Sequence, residues 1–187
     1  NRINALEAQQ SISIRGASES QAAISLRVTN GNALLLSRDT VSTGAWLFEL
    51  SAGDVATLPD GSLTLAATAT DTAGNTRLVK RTITKDTAIA TPMINAVTGD
   101  DVLSPQERTA PVIVSGLTEP KASVLLTIGG WSRRITATAE GTWTTELSTS
   151  ILRALPTGPS QFVAQATDAS GNVSASTTRN VAIAAAT

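Results

Sequence analysis

Thr70-Asp71-Thr72-Ala73-Gly74-Asn75 returns as Thr167-Asp168-Ala169-Ser170-Gly171-Asn172, 97 residues further along the chain. The same offset sets Gly44-Ala45-Trp46 on Gly141-Thr142-Trp143, Glu49-Leu50 on Glu146-Leu147 and Leu58-Pro59 on Leu155-Pro156. Nearer the start the offset is 100, pairing Glu7, Gly16, Glu19, Ala22 and Val28 with Glu107, Gly116, Glu119, Ala122 and Ile128, and three extra residues around Asn30–Asn32 account for the change. Trp, Pro and Gly-Asn coinciding in register mark a repeated module rather than a shared Ala- and Thr-rich composition. The 187 residues therefore divide into two domains, each near the commonest domain size of about 100 residues. They are 1–85 and 86–187. In this alignment Asn1 takes the place of Asp101, so the first repeat is expected to lack its opening strand, and the chain reads as a piece cut within a repeat.

Between the turn signals apolar residues alternate with polar ones, the period of a strand with one buried face. Ile12 and Ile14 alternate, as do Ile24, Leu26 and Val28, matched by Val124, Leu126 and Ile128. Leu63, Leu65, Ala67 and Ala69 do so before Asp71, and Gln161 to Thr167 is their counterpart. Short alternating strands separated by turns predict an all-β sandwich. Trp46 and Trp143 are the large aromatics expected to fill the two cores. Between strands, 51–58 and 148–155 predict a helical turn, with Ser148 as cap, Ile151, Leu152 and Leu155 facing inward and Pro156 as the stop.

Composition narrows the chemistry. No Cys and no His are present, which removes disulfides, thiolate zinc sites, cysteine nucleophiles and the usual general base. The net charge of -1, from 14 basic and 15 acidic residues, offers nothing to a nucleic acid or an anionic membrane. No apolar run approaches the roughly 20 residues of a membrane span, and the first residues given do not show the charged-then-apolar pattern of a signal peptide.

The Thr-Asp-x-x-Gly-Asn loop, Asp86-Thr87 followed by Pro92, Gly99-Asp100-Asp101-Val102 and the Gly-x-Trp of Gly141-Thr142-Trp143 resemble the bacterial immunoglobulin-like repeats of giant type I-secreted adhesins and biofilm proteins. The resemblance covers essentially the whole chain. It implies seven-stranded sandwiches stacked end to end, calcium at or near the junctions, and an extracellular rod on a bacterial surface. The expected architecture is thus two tandem immunoglobulin-like antiparallel β-sandwich domains arranged end to end. The expected role is a monomeric stalk whose partners are neighbouring repeats of the same chain, with host-cell or biofilm surfaces met through other regions. The chain departs from the family pattern at Lys85, at Ala184 and at Asn1.

Four acids fall where the repeats meet: Asp71, Asp86, Asp100 and Asp101. Carboxylates about 4 Å apart repel by about 1 kcal/mol in water and about 4 kcal/mol at an effective dielectric of 20, so gathering them calls for a cation. Calcium fits, since it takes 6 to 8 oxygens at roughly 2.3–2.6 Å in irregular geometry, and magnesium fits less well. Asn75 and Glu107 are additional candidate ligands. The competing reading of Asp71 to Asn75 is a turn whose Asp side chain bonds backbone amides, and for Asp168 the turn role is favoured. Glu49 and Glu146 have no partner acid and read as exposed strand residues, which sets aside a glycosidase. Arg133-Arg134 beside Trp131 reads as a solvated strand edge. Three classes follow: a spacer, a glycan- or protein-binding adhesin module, or an accessory domain of a secreted enzyme. An enzyme in its own right is not expected.

Overall fold

The computed structural model describes residues 1–185. Residues 186 and 187, the last two of the expected second repeat, lie outside the described residues. The chain folds as two compact units, Asn1–Thr87 and the residues from Ala88 on.

The first unit contains β1 (Arg2–Ile3), a 3-10 turn (Glu7–Gln9), β2 (Ile12–Asn30), β3 (Ala33–Leu50), α1 (Ala52–Thr57), β4 (Gly61–Thr70) and β5 (Thr76–Lys85). Its strands join in the order β1-β5-β4-β2-β3. β2 and β3 are long enough to serve both faces of a sandwich. Ile12–Ala17 pairs with Ala45–Leu50, and Ala23–Asn30 pairs with Ala33–Val41 on one side and β4 on the other, with register shifts at Ala17/Ser20 and Ser20/Ala23 where the pair turns the corner. Bulges bend paired strands in this way. Gln21 takes φ 67 at that corner. Ile12 and Ile14 from one half pack with Leu63, Leu65 and Ile83 from the other.

The second unit contains β6 (Met93–Ile94), β7 (Val102–Leu103), a 3-10 turn (Glu107–Thr109), β8 (Val112–Leu117), β9 (Ser123–Ile128), β10 (Trp131–Thr136), β11 (Thr142–Leu147), α2 (Thr149–Ala154), β12 (Gly158–Thr167) and β13 (Thr177–Ile183). Here the two sheets are separate, β10-β9-β12-β13-β7 and β11-β8-β6. Pro120, absent from the first repeat, breaks the chain between β8 and β9, since proline cannot donate to a ladder, and Lys121 repeats the positive φ of Gln21 at 62°. Both units are immunoglobulin-like β-sandwiches, with the parallel β1–β5 and β7–β13 contacts in matching register. The alternation expected from the sequence is the burial pattern of β9, where Val124, Leu126 and Ile128 are buried.

Three local expectations are corrected. Ser148 occupies the cap position of α2 without a capping bond, its hydroxyl being taken by Ser150. Ser51 in the first unit does cap, in a reciprocal box with Asp54. The three extra residues are the net of two changes. Val28 pairs with Leu36 but Ile128 with Trp131, so the first β-hairpin is longer by more than three residues and the corner at Ser42–Gly44 is correspondingly shorter than Ala137–Gly141. Finally, Trp143 is buried at 1% exposure whereas Trp46 is only half-buried, for a reason taken up below.

Lys85, out of pattern in sequence, has a packing role. Its buried Nζ donates to Leu58 O at 2.5 Å and Ala56 O at 3.4 Å, the carbonyls that end α1. In the second unit Ile183 stands in its place, and Arg108, from the 3-10 turn, donates instead to Leu152 O, Arg153 O and Leu155 O at the end of α2. Residue 8, the counterpart of Arg108, is Ala. One cation thus satisfies each helix end, delivered from the end of a strand in the first unit and from the 3-10 turn in the second. Because a buried carbonyl left without its donor costs about 1–3 kcal/mol, Lys85→Ile alone should destabilise the first unit by about that amount in urea unfolding. Combining it with Ala8→Arg should recover part of the loss, and full additivity of the two changes would contradict the exchange.

Candidate functional site

Asp71, Asp100 and Asp101 each sit in a loop where their carboxylates accept hydrogen bonds from backbone amides. Asp71 closes the β4–β5 turn: Oδ1 accepts from Ala73 N at 2.9 Å and Asn75 N at 2.8 Å, and Oδ2 accepts from Asn75 Nδ2 at 2.8 Å. These donors, Asn75's side-chain amide foremost, hold the Asp71 carboxyl below the usual carboxylate range. Asp168 repeats the arrangement with Ser170 N at 2.7 Å, Asn172 N at 2.9 Å and Asn172 Nδ2 at 2.7 Å. The motif that decided the fold is therefore a turn in both units, with Gly74 and Gly171 at positive φ of 90° and 91°.

Asp100 Oδ1 accepts from Val102 N at 3.0 Å and from the Thr98 hydroxyl at 3.2 Å. Asp101, itself at φ 62°, forms a two-pronged ion pair with Arg179, Nε to Oδ1 and Nη2 to Oδ2, both at 2.6 Å. It also accepts from Val97 N at 3.0 Å. Glu107 Oε2 accepts from Ser104 N at 2.9 Å and its hydroxyl at 2.7 Å, fixing the start of the 3-10 turn. Asp86 directly follows β5 and its backbone N–H donates to Ile3 O at 2.9 Å. The unit boundary separates the candidates: Asp71, Asn75 and Asp86 belong to the first unit, Asp100, Asp101 and Glu107 to the second. Within each unit, among the described residues, no three acidic side chains converge as a metal would require.

As oxygen donors these residues suit a hard cation unequally. Asp100 keeps Oδ2 clear of its turn bonds, whereas both oxygens of Asp101 already face a guanidinium. Two features were not read from the sequence: the Asp101–Arg179 pair, whose members lie 78 positions apart, and Asp60, whose carboxylate accepts from Thr87 N at 3.1 Å and Thr87 hydroxyl at 2.8 Å. Asp60 sits beside a proline and a glycine in a turn, the one local signal that pointed to it.

Neither a protein-family model nor a curated protein sequence matches the chain. Solved structures do. A 1.5-MDa bacterial ice-binding adhesin, studied for its retention at the host cell surface, superposes with TM-score 0.55 at 23% identity over 97% of this chain and 60% of that one. A calcium-stabilised adhesin with which an Antarctic bacterium binds ice gives TM-score 0.52 at 26% identity over 98% of this chain and 46% of that one. A bacterial immunoglobulin-like domain from the M. primoryensis ice-binding adhesin is 30% identical over 52% of this chain and all of that domain, with TM-score 0.40. The chain spans only 46% to 60% of the two longer structures. The second of these structures, at 26% identity, is an adhesin, the class of protein whose repeats the sequence resembles.

The Arg179 guanidinium beside Asp101, with Val97 N–H, holds the Asp101 carboxyl below the usual carboxylate range. A depressed carboxyl contributes stability that is complete above its unfolded-state value and is lost as pH falls through the folded one. The second unit should therefore weaken on acidification below about pH 4. Urea midpoints at pH 7 and pH 3 check this: Asp101→Asn should lower the midpoint at pH 7 and leave a smaller difference between the two pH values than the parent shows.

Proposed function

We propose that the chain is a pair of spacer repeats from the stalk of a bacterial cell-surface adhesin, non-enzymatic, secreted and monomeric. The observation that carries this reading is the tandem itself: two sandwiches of one design in series, similar over nearly the whole chain to part of a bacterial adhesin. A spacer needs folded modules in series and no concave catalytic site. Its partners are neighbouring repeats.

Calcium is the second part of the proposal. Asp71, Asp86 and Asp100 are its principal ligands, with Asn75, Asp101 and Glu107 as further oxygen donors, and the ion stiffens the passage from one repeat to the next. What supports it is the clustering of acids in sequence at the repeat boundary and the hard-oxygen character of every candidate. An ion bound at 100 times its dissociation constant would add about 2.7 kcal/mol to the state that binds it.

One observation favours a ligand-binding module as the alternative: the lengthened β2–β3 hairpin of the first unit exposes Leu34 and Leu35, where the second unit has a short Gly129-Gly130 turn. Exposed apolar side chains at the turn end of a hairpin strand are a recognised form of contact surface. A glycan array and a host-cell binding assay separate the readings, because a spacer remains inert in both.

Calorimetric titration with calcium tests the ion. Saturable heat is expected from the parent, a much weaker response from the Asp71→Asn, Asp86→Asn, Asp100→Asn triple variant, and little from magnesium. Heat that survives unchanged in the triple variant would overturn this ligand set. Small-angle scattering checks the stiffening: the maximum dimension should differ between calcium and chelator, and an identical value contradicts it.

A further inference from the structure

The ion pair beside α1 has no counterpart beside α2. In the first unit Arg38, on β3, bonds Asp54 at 2.8 Å, and Asp54 also closes the capping box with Ser51. Arg133 pairs with Leu126 as Arg38 pairs with Leu26, and these leucines align at the early offset, so Arg133 is the counterpart of Arg38. The later offset sets Ile151 on Asp54. One substitution therefore removes both the helix cap and the counter-ion, and Ser148 bonds Ser150 instead. By the same register Arg134 stands where the first unit has Asp39. Two carboxylates are gone and a guanidinium has been added.

Among the described residues neither Arg133 nor Arg134 forms a side-chain hydrogen bond or an ion pair. Both line a groove of about 380 Å³ with Ile135, Thr144, Thr145 and Glu146 among others. Thr145 stands where the first unit has Phe48, a ring of its core, and Phe162, buried where the first unit has Leu65, supplies a ring from the other sheet. The exchange leaves a hydroxyl at the groove. Thr145 is 6% exposed, and its Oγ1 has no hydrogen-bond partner among the described residues. A buried polar group in that state marks unmet bonding capacity. Glu146 is shared with the first unit as Glu49, so it does not replace the lost acids.

Protection of an exposed edge explains a single cation on β10. It does not explain why the repeat that gains a second guanidinium also loses the carboxylate of the first. Unmatched guanidinium groups beside a groove make an anion site, because they bind carboxylates in two-pronged, charge-assisted pairs. Glu146 and Thr144 narrow the anion. A second acid on the ligand would be repelled by Glu146, whereas hydroxyl groups would donate to that carboxylate and exchange bonds with the Thr144 hydroxyl.

We propose that the groove between β10 and β11 of the second unit binds a sugar acid. The sugar carboxylate takes the part that Asp54 plays in the first unit and lies against Arg133 and Arg134. The sugar hydroxyls bond Glu146 and Thr144, and the apolar face of the ring lies on Ile135. Affinity for one such residue is in the millimolar range, as expected of a small polar ligand on an open surface. That is too weak to survive the washing of a glycan array, so the site is measured at equilibrium. The inference goes beyond the stalk reading, and its failure leaves that reading standing.

NMR titration of the full chain with sodium glucuronate at constant ionic strength tests this. Amide signals of Trp131–Thr136 and Thr142–Leu147 should shift along saturable curves. Glucose should give no shift, and acetate a midpoint at least about tenfold higher. Arg133→Gln should raise the glucuronate midpoint at least about tenfold, and Arg134→Gln should act in the same direction. Ile151→Asp restores an internal counter-ion and should also weaken binding, whereas Ile151→Asn, which brings no charge, should not. Unchanged dispersion of the Val124, Leu126 and Ile128 signals shows that a variant is folded, and the two exposed arginine variants decide the outcome should Ile151→Asp unfold. Any of four results would overturn the proposal: shifts that glucose reproduces, shifts that never saturate, an unchanged midpoint in Arg133→Gln, or an extended acidic peptide that binds the same amides more tightly than glucuronate.

Discussion

A tryptophan laid against a glycine on the facing strand sets how these sandwiches close. In each unit the Gly-x-Trp strand presents its indole to the glycine one strand away, Trp46 to Gly16 and Trp143 to Gly116, and any side chain on that glycine would occupy the space of the ring. The indole thus serves as floor and spacer between the sheets, and interiors packed near crystal density leave little room for another arrangement. What distinguishes the units is the roof. With β6 in place, the same glycine accommodates a backbone carbonyl above it and Trp143 is sealed. Without such a strand, Trp46 lines an open trough.

Much of this was legible beforehand because repetition is a long-range signal written in local symbols. Gly-x-Trp, Leu-Pro and Asp-x-x-Gly-Asn each have a local cause, a positive φ, a helix stop or an Asx turn, so their recurrence located strands, helical turns and hairpins in both copies. The alternation of Val124, Leu126 and Ile128 stated which face would be buried. Corner geometry was not legible. Ser42 and Ala137 occupy equivalent buried positions, yet only a pairing register reveals that the first hairpin is longer and its corner shorter than a single gap suggests. The exchange of Lys85 with Arg108 was visible only as an anomaly, since its meaning lies in two carbonyls at a helix end far along the chain.

The acids divide in the same way. Asp71 and Asp168 do what their neighbours in sequence ask of them, bonding the amides of their own turns. Asp101 does not: its partner Arg179 arrives from the last strand of the fold, and no local pattern marks that pairing. Proximity in sequence gathered Asp71, Asp86, Asp100 and Asp101 at one boundary, but proximity is blind to the bonds each carboxylate makes within its own module. Those bonds rank the donors, with Asp100 less encumbered than Asp101.

Residue-resolved hydrogen exchange on the unaltered chain tests the central claim most directly, namely one sandwich sealed along its β8 edge and another open along the equivalent edge of β2. Amides opened by local fluctuation exchange faster than those held in a covered sheet. The outward amides within Arg15–Ala17 should exchange at least about tenfold faster than those within Ser115–Leu117, a factor equal to about 1.4 kcal/mol of opening free energy. Equal protection at the two edges would contradict the account.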